Sequence, residues 1–177
     1  NTPGRTFGGK TLLPPQDTAG PVDQTPMLRR RDVRQYTSEV LVEETEITGH
    51  VSAKLFASTS GKDTDWMIKL CDVHPDGKTY NVCDGVIRAA FRDGATLRPV
   101  EPHQPLEYDL ALWSTSHVFK AGHRIRVLIT SSDFPRYDRN PNTGESPYSA
   151  THMQPAVQQI YHSPERASYI ELPIIPS

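Results

Sequence analysis

Apolar and polar residues alternate in several stretches of the chain, most clearly in residues 50–58, 108–113 and 124–130. A period of two is typical of a β-strand, because successive side chains of an extended backbone point to opposite faces. Each stretch therefore has one apolar face that can be buried in a core. These faces consist of Val51, Ala53, Leu55, Ala57, Tyr108, Leu110, Leu112, Ile125, Val127 and Ile129.

Segments rich in turn-forming residues separate the alternating stretches. They lie at residues 59–63, 74–78, 91–95 and 119–123, and each contains glycine, with proline or aspartate in most of them. Such segments are typical of turns between antiparallel strands. The pattern predicts eight strands, near residues 32–37, 46–58, 65–74, 79–91, 106–114, 124–132, 157–162 and 167–173.

Eight antiparallel strands without long intervening helices predict an all-β fold, a two-sheet antiparallel jelly-roll sandwich. Residues 1–31 differ from the rest, since they hold five of the 16 prolines and four of the 11 glycines and show little periodicity. We interpret residues 1–31 as an extended loop or connection and residues 32–177 as the sandwich domain.

The overall charge argues against two classes of partner. Lys and Arg number 19 against 21 for Asp and Glu, which gives a formal net charge of -2 and no broad cationic surface for a nucleic acid. No apolar run is long enough to span a membrane, so we expect a soluble chain, either cytoplasmic or secreted. The chain begins at Asn1 without an initiator methionine, and we expect a fragment or a processed product.

The two cysteines are predicted to be free thiols. "HPDGK" favours a hairpin turn; a two-residue loop would place Cys71 opposite Val82, and a three-residue loop would place it opposite Asn81. Neither register brings Cys71 opposite Cys83. The motif "CDVH", residues 71–74, lacks the paired short spacings of a zinc site, so we expect neither a metal nor a cofactor.

A catalytic nucleophile is not evident in the sequence. The chain has no G-x-S-x-G elbow; the nearest motif, "GESPY", has Pro147 directly after Ser146, and proline has no backbone N–H to stabilise an oxyanion. His117 lies beside Ser116, but adjacent side chains of an extended segment diverge. We interpret His117 as a turn or rim residue, and we predict that the chain alone is not an enzyme.

Paired carboxylates could indicate glycoside hydrolysis, and exposed tryptophans could indicate sugar binding. Asp133 and Asp138 flank "FPRY", and nearby arginines indicate structural ion pairs rather than the acid pair of a glycosidase. Trp66 and Trp113 are expected in the core or an interface, although exposed tryptophans bind sugar rings in some sandwich domains. A carbohydrate-binding module therefore stays open as an alternative function.

Four long motifs together resemble the C-terminal domain of the CocE/NonD hydrolase family. They are residues 32–41, 48–94, 113–144 and 160–176, and the resemblance covers nearly the whole chain. It implies a galactose-binding-like jelly roll that packs against an N-terminal α/β-hydrolase domain of the same polypeptide. The catalytic triad of such an acyl esterase or X-Pro dipeptidyl-peptidase-like enzyme would lie in that other domain.

The same resemblance suggests roles for two segments. "SSDFPRYDRNPNTG" is similar to a family corner that serves as a structural corner or domain interface, here with Phe134 as an apolar anchor. The family usually carries asparagine where this chain has Asp133. In "FGGKTLLPP", Leu12 and Leu13 are either simply exposed to solvent or part of the substrate-pocket wall of the parent enzyme, because the resemblance implies that the sandwich domain contributes to that wall. In the "SSDFPRYDRNPNTG" corner, Arg136, Tyr137 and Arg139 are expected to share the structural or interface role of Phe134.

Overall fold

The computed structural model describes residues 20–176, and these contain eight β-strands, three short 3-10 helices and no α-helix. Within this range, no helix is long and apolar enough to cross a membrane. The 3-10 helices are Thr25–Arg29, Ala89–Phe91 and Pro164–Arg166. The strands are β1 (Arg34–Thr37), β2 (Thr45–Thr59), β3 (Asp65–Val73), β4 (Thr79–Arg88), β5 (Leu106–Phe119), β6 (Arg124–Thr130), β7 (Gln158–Ile160) and β8 (Tyr169–Glu171).

The strands form two antiparallel sheets. One has the order β1-β6-β3-β4; in the other, β2 pairs with β5 along one edge and with β7 and β8 along the other. The predicted all-β antiparallel sandwich is confirmed. Most strand boundaries lie within two residues of the predicted ones, but two were wrong by more: β5 continues to Phe119, and the predicted fourth strand gives way to a 3-10 helix at Ala89. A third correction is the 3-10 helix Thr25–Arg29, which lies in a stretch expected to be entirely loop.

The core lies between the sheets and consists largely of the alternating positions. Along β2, the residues from Val51 to Ala57 that were predicted to face inward are each at most 5% exposed. Trp66, Ile68 and Leu70 of β3 meet them from the opposite sheet. Burial of these faces is the main term that stabilises the fold, because apolar surface is removed from water on both sheets.

Strand β3 is buried on both of its faces, which the period-two pattern alone does not reveal. On its outer face, Cys71 packs with Val33 and Leu128 in a second, smaller cluster, and Leu28 lies against this cluster. The chain near Gln24 is held there by backbone pairing, since the Gln24 N–H donates to the Thr79 carbonyl at 2.6 Å. Residues 24–33 therefore cover part of the outer side of this sheet.

Both cysteines are buried and do not form a disulfide, as predicted for a pair that does not face each other. Cys71 is opposite Asn81, the register of the three-residue loop. A bulge after Leu70 then shifts the pairing, so that Cys83 is opposite Leu70. Burial raises the pKa of the Cys71 thiol to about 12, so the thiol is protonated at neutral pH and is a poor nucleophile.

A second irregularity in strand pairing lies where β4 of one sheet packs closely against β5 of the other. The pairing of β2 with β5 shifts between His50 and Ser52, and Trp113 at this point has a φ of 67°, which is strained for a bulky residue. Gly85 of β4 packs below: a Cβ there would lie 2.4 Å from the Ala111 carbonyl oxygen. The close approach therefore requires glycine at residue 85.

Candidate functional site

The segment after β6 forms an irregular corner, as the sequence predicted for residues 131–144. The peptide bond between Phe134 and Pro135 is cis, and the Arg136 N–H donates to the Asp133 carbonyl at 3.0 Å. The chain then turns back through Asn140 towards β7. This corner is the segment for which a role at a domain interface was expected.

A buried ion-pair network holds the corner against the sheet. The Lys69 ammonium lies 2.9 Å from the Asp133 carboxylate, and both side chains are 3% exposed. Arg136 lies 2.7 Å from Asp84 and 3.7 Å from Asp133. The pairing of Asp133 with a nearby arginine was expected from the sequence. Its stronger partner, Lys69 on β3, is 64 residues away in the chain.

Phe134 does not anchor the corner in apolar surroundings, and that expectation was wrong. The residue is 38% exposed, and the Arg139 guanidinium lies 5.4 Å from the centre of its ring. Arg136 similarly lies 4.8 Å above the ring of Tyr137, and burial raises the pKa of the Tyr137 phenol. Arg136 and Tyr137 are thus half-buried parts of the corner, while Phe134 and Arg139 face outward.

A second buried network links the corner to the start of β3. The Asn140 side-chain amide donates to Asp63 and to Asp65, each at 2.9 Å. Arg88 binds Asp65 through two nitrogens at 2.8 and 3.1 Å. From the sequence, "DTDW" was expected only to mark the start of a strand, with no buried network around Asp63 and Asp65. Burial raises the pKa of Asp63, and its hydrogen bonds, led by the one from Asn140, only partly offset this effect.

The raised pKa of Asp63 predicts a pH-dependent contribution to stability. Because the folded-state pKa lies above the unfolded one, Asp63 stabilises the fold most at acidic pH, and this contribution is lost as the pH rises through the folded pKa. Asp63→Asn removes the titration, so its destabilising effect should be larger at about pH 3.5 than at pH 7. Urea unfolding of both proteins at each pH measures the difference. An effect of equal size at both pH values would contradict the prediction, and Glu39→Gln is the exposed-carboxylate control.

An open groove of about 1130 Å³ lies beside the corner. Arg139 and Asn140 line one part of it, β1 lines another, and the chain around β7 closes the far side. Tyr36 of β1 reaches across to His162, with 2.9 Å between the phenol oxygen and Nε2. The groove thus combines aromatic and cationic groups on a surface formed by both sheets.

The described residues offer no assembled nucleophile. Among residues 20–176, no serine side chain is hydrogen bonded to a histidine, and Ser146 is exposed in a loop. Trp66, one of the two tryptophans considered for sugar binding, is buried at 1% exposure, whereas Trp113 is 63% exposed. Leu12 and Leu13 lie outside the described residues.

The structure also assembles a histidine cluster that the sequence had not suggested. His117 does not lie in a turn: it lies within β5, partly exposed, and its Nε2 is 3.1 Å from the Asp72 carboxylate. His123 Nδ1 lies 2.8 Å from Asp72 Oδ1, and His74 Nε2 lies 3.7 Å from Asp72 Oδ2, the oxygen that His117 contacts. Asp72 and His74 belong to the "CDVH" motif, but the other two histidines come from the β5–β6 hairpin, so chain spacing gave no signal.

Comparison with known proteins assigns the chain to a family. The model of the X-Pro dipeptidyl-peptidase C-terminal non-catalytic domain matches residues 8–171. The chain belongs to this family. The predicted relationship to the CocE/NonD hydrolases is confirmed, whereas the galactose-binding-like character stays a prediction.

Relatives of this X-Pro dipeptidyl-peptidase C-terminal domain are parts of longer hydrolases. Cocaine esterase from Rhodococcus sp. (strain MB1 Bresler) is 44% identical over 171 residues, which cover 94% of the chain and 30% of the esterase. An α-amino acid ester hydrolase has 38% identity and a TM-score of 0.83, over 86% of the chain and 27% of the hydrolase. An aminopeptidase from a marine sediment archaeon, Thaumarchaeota archaeon, has 36% identity and a TM-score of 0.80, over 87% and 27%. The chain thus spans less than a third of these relatives.

Proposed function

We propose that this domain supports an N-terminal α/β-hydrolase domain in the same polypeptide, which acts as a serine hydrolase on ester or peptide bonds. The observation that carries the proposal is the match to a non-catalytic domain family, together with relatives named as esterases, an ester hydrolase and an aminopeptidase. In this proposal the nucleophile and its base belong to the other domain. The present domain supplies a rigid surface against which that domain packs.

The first test is enzymatic. We expect the 177-residue chain alone to show no turnover of p-nitrophenyl esters or X-Pro amides, while a polypeptide that also contains the hydrolase domain should be active. Activity of the highly purified chain that disappears in Ser146→Ala would overturn the proposal. The upstream coding sequence is a second check, since a G-x-S-x-G elbow is expected there.

The corner and its groove form the proposed contact surface. Phe134 and Arg139 are exposed beside the groove, while the buried networks fix the backbone beneath them. Exposed groups on a fixed backbone suit a domain interface, because little loop-ordering entropy is lost on packing. Arg136 and Tyr137 are proposed to hold the corner in shape rather than to make the contact.

The interface can be separated from a purely structural corner by measuring stability in two contexts. In the isolated chain, Phe134→Ala should cost less than about 1 kcal/mol, since the ring is partly in water. In the complete polypeptide, the same change should cost more, because it would also remove an interdomain contact. Equal effects in both contexts would leave Phe134 without an interface role, and Tyr148→Ala, at a 91% exposed aromatic residue, is the control.

The role of Leu12 and Leu13 at the substrate pocket is also a proposal. It depends on the apolar pair in "FGGKTLLPP", which could bind acyl or aryl groups by burying apolar area. Changing both leucines to alanine in the complete enzyme should alter kcat/KM unequally for substrates with bulky and small acyl groups. Equal changes for all substrates, with the fold intact, would reduce this segment to a connection.

A further inference from the structure

One end of the sandwich carries a cluster of histidines around a buried aspartate. Asp72 is near the end of β3, on the same face as Trp66 and Leu70, and its side chain is 4% exposed. His74 follows in the β3–β4 turn, and His123 lies in the turn before β6. His117 approaches from β5 in the opposite sheet. Four chemically suitable side chains from both sheets therefore meet at one point.

The candidate ligand atoms of the cluster lie close enough together that small side-chain movements could bring them into contact with one metal ion. One candidate ligand atom from each of Asp72, His74 and His123 lies within 4.8 Å of the other two. Ligands about 2.1 Å from a tetrahedral ion are about 3.4 Å apart, so the change required is about 1 to 1.5 Å. The backbone is already fixed, because β3 is paired with β4 and with β6 up to Val73.

We propose that Asp72, His74 and His123 bind a divalent transition-metal ion such as Zn²⁺, with His117 hydrogen bonded to the Asp72 carboxylate in support. Two imidazoles and one carboxylate are a donor set that suits zinc and its first-row neighbours, whereas Mg²⁺ and Ca²⁺ prefer oxygen ligands. A fourth position is open towards solvent, since the His74 side chain is 41% exposed. Water would complete the coordination there.

His117 has the position of a supporting group rather than of a ligand. Its Nε2 lies 3.1 Å from Asp72 Oδ2, while His123 faces Oδ1. Hydrogen bonds to the ligands of a metal orient them and raise affinity. His117 itself is held by edge-to-face contact with Phe119, a fully buried residue, at 4.7 Å between ring centres. The support is therefore attached to the core of the opposite sheet.

Cys71 is not a ligand in this site, although it is next to Asp72 in the sequence. Its thiol faces the other side of β3 and packs with Val33 and Leu128. The ion would instead connect the β3–β4 hairpin to the β5–β6 hairpin, so its expected effect is structural. An ion that binds the folded chain more tightly than the unfolded chain raises the unfolding midpoint. This inference does not depend on the proposed hydrolase partner.

The test uses the 177-residue chain after EDTA treatment and removal of the chelator. We expect Co²⁺ to give saturable visible absorption with one ion per chain, Zn²⁺ to displace it, and Zn²⁺ but not Mg²⁺ to raise the thermal midpoint. No saturable Co²⁺ spectrum, or equal shifts with Mg²⁺ and Zn²⁺, would overturn the proposal.

Zn²⁺ affinities of histidine variants show whether the ion binds at this cluster. His74→Ala removes a partly exposed ligand and should weaken Zn²⁺ binding by at least about tenfold, and His117→Gln should weaken it by about tenfold if its hydrogen bond orients Asp72. His152→Ala, at an exposed histidine outside the cluster, is the matched control and should bind as the unchanged protein does. Equal affinity in His74→Ala and the unchanged chain would mean surface binding elsewhere and would refute the site.

Discussion

Replacement of Trp66 by alanine should destabilise the domain by about 3 to 5 kcal/mol, the usual cost of emptying a large buried site. Trp66 is 1% exposed and lies on β3, and its ring centre is 5.8 Å from that of Tyr108 on β5. The contact therefore crosses from one sheet to the other. Removal of the indole would lose apolar burial and leave a cavity between the sheets, because the paired strands cannot close over it.

Urea unfolding at equilibrium, followed by far-UV circular dichroism, measures this change. Trp66→Phe should cost less than Trp66→Ala, because part of the volume is kept. Tyr148→Ala is the control for an aromatic residue in water and should lie within about 0.5 kcal/mol of the unchanged protein. If Trp66→Ala had an effect as small as this control, the core between the sheets would not be packed as described.

Loss of the buried Lys69 charge should be similarly costly. Lys69→Met leaves the Asp133 carboxylate buried at 3% exposure, and breaking such a pair typically costs about 3 to 5 kcal/mol. Arg136, 3.7 Å from Asp133, is a remaining cation and should keep the effect near the lower end of this range. The measured quantity is again the free energy of unfolding.

Two further variants separate the buried charge from the loss of an ordinary contact. The double variant Lys69→Met with Asp133→Leu removes both charges and should be more stable than Lys69→Met alone. Lys78→Met is the matched control, because Lys78 and Asp76 are more than half exposed and 3.7 Å apart, and surface pairs contribute about 0 to 1 kcal/mol. A Lys69→Met effect no larger than that of Lys78→Met would contradict the buried network.

The alternation of apolar residues was enough to predict the eight strands and the all-β class. That information is local, because a period of two indicates which side chains share a face. Every second residue from Val51 to Ala57 and from Tyr108 to Leu112 is buried as the pattern requires, whereas Ile125 and Val127 are only partly buried. Turn residues were equally informative at "HPDGK", where one of the two possible registers for Cys71 is the one found. The resemblance of long motifs to a hydrolase family supplied the functional context that alternation cannot give.

Strand ends and one helical segment were less well predicted. The extension of β5 to Phe119 depends on its pairing with β2, where Thr45 is opposite Phe119. The 3-10 helix Thr25–Arg29 lies in a stretch without periodicity, and its neighbour Gln24 is fixed by a hydrogen bond to Thr79. Both features depend on partners that are distant in the sequence, so local pattern could not reveal them.

The sequence by itself thus determined the strands and most of their inward faces. It also showed that no serine lies in a G-x-S-x-G motif. The tertiary structure decided which charged and polar groups meet. Lys69 forms an ion pair with Asp133, which is 64 residues away in the sequence. Asp72 contacts His117 and His123, which are 45 and 51 residues away. The physical reason is that hydrophobic burial is non-directional and can be read from periodicity, whereas ion pairs and ligand sets require specific distances that only the paired sheets impose.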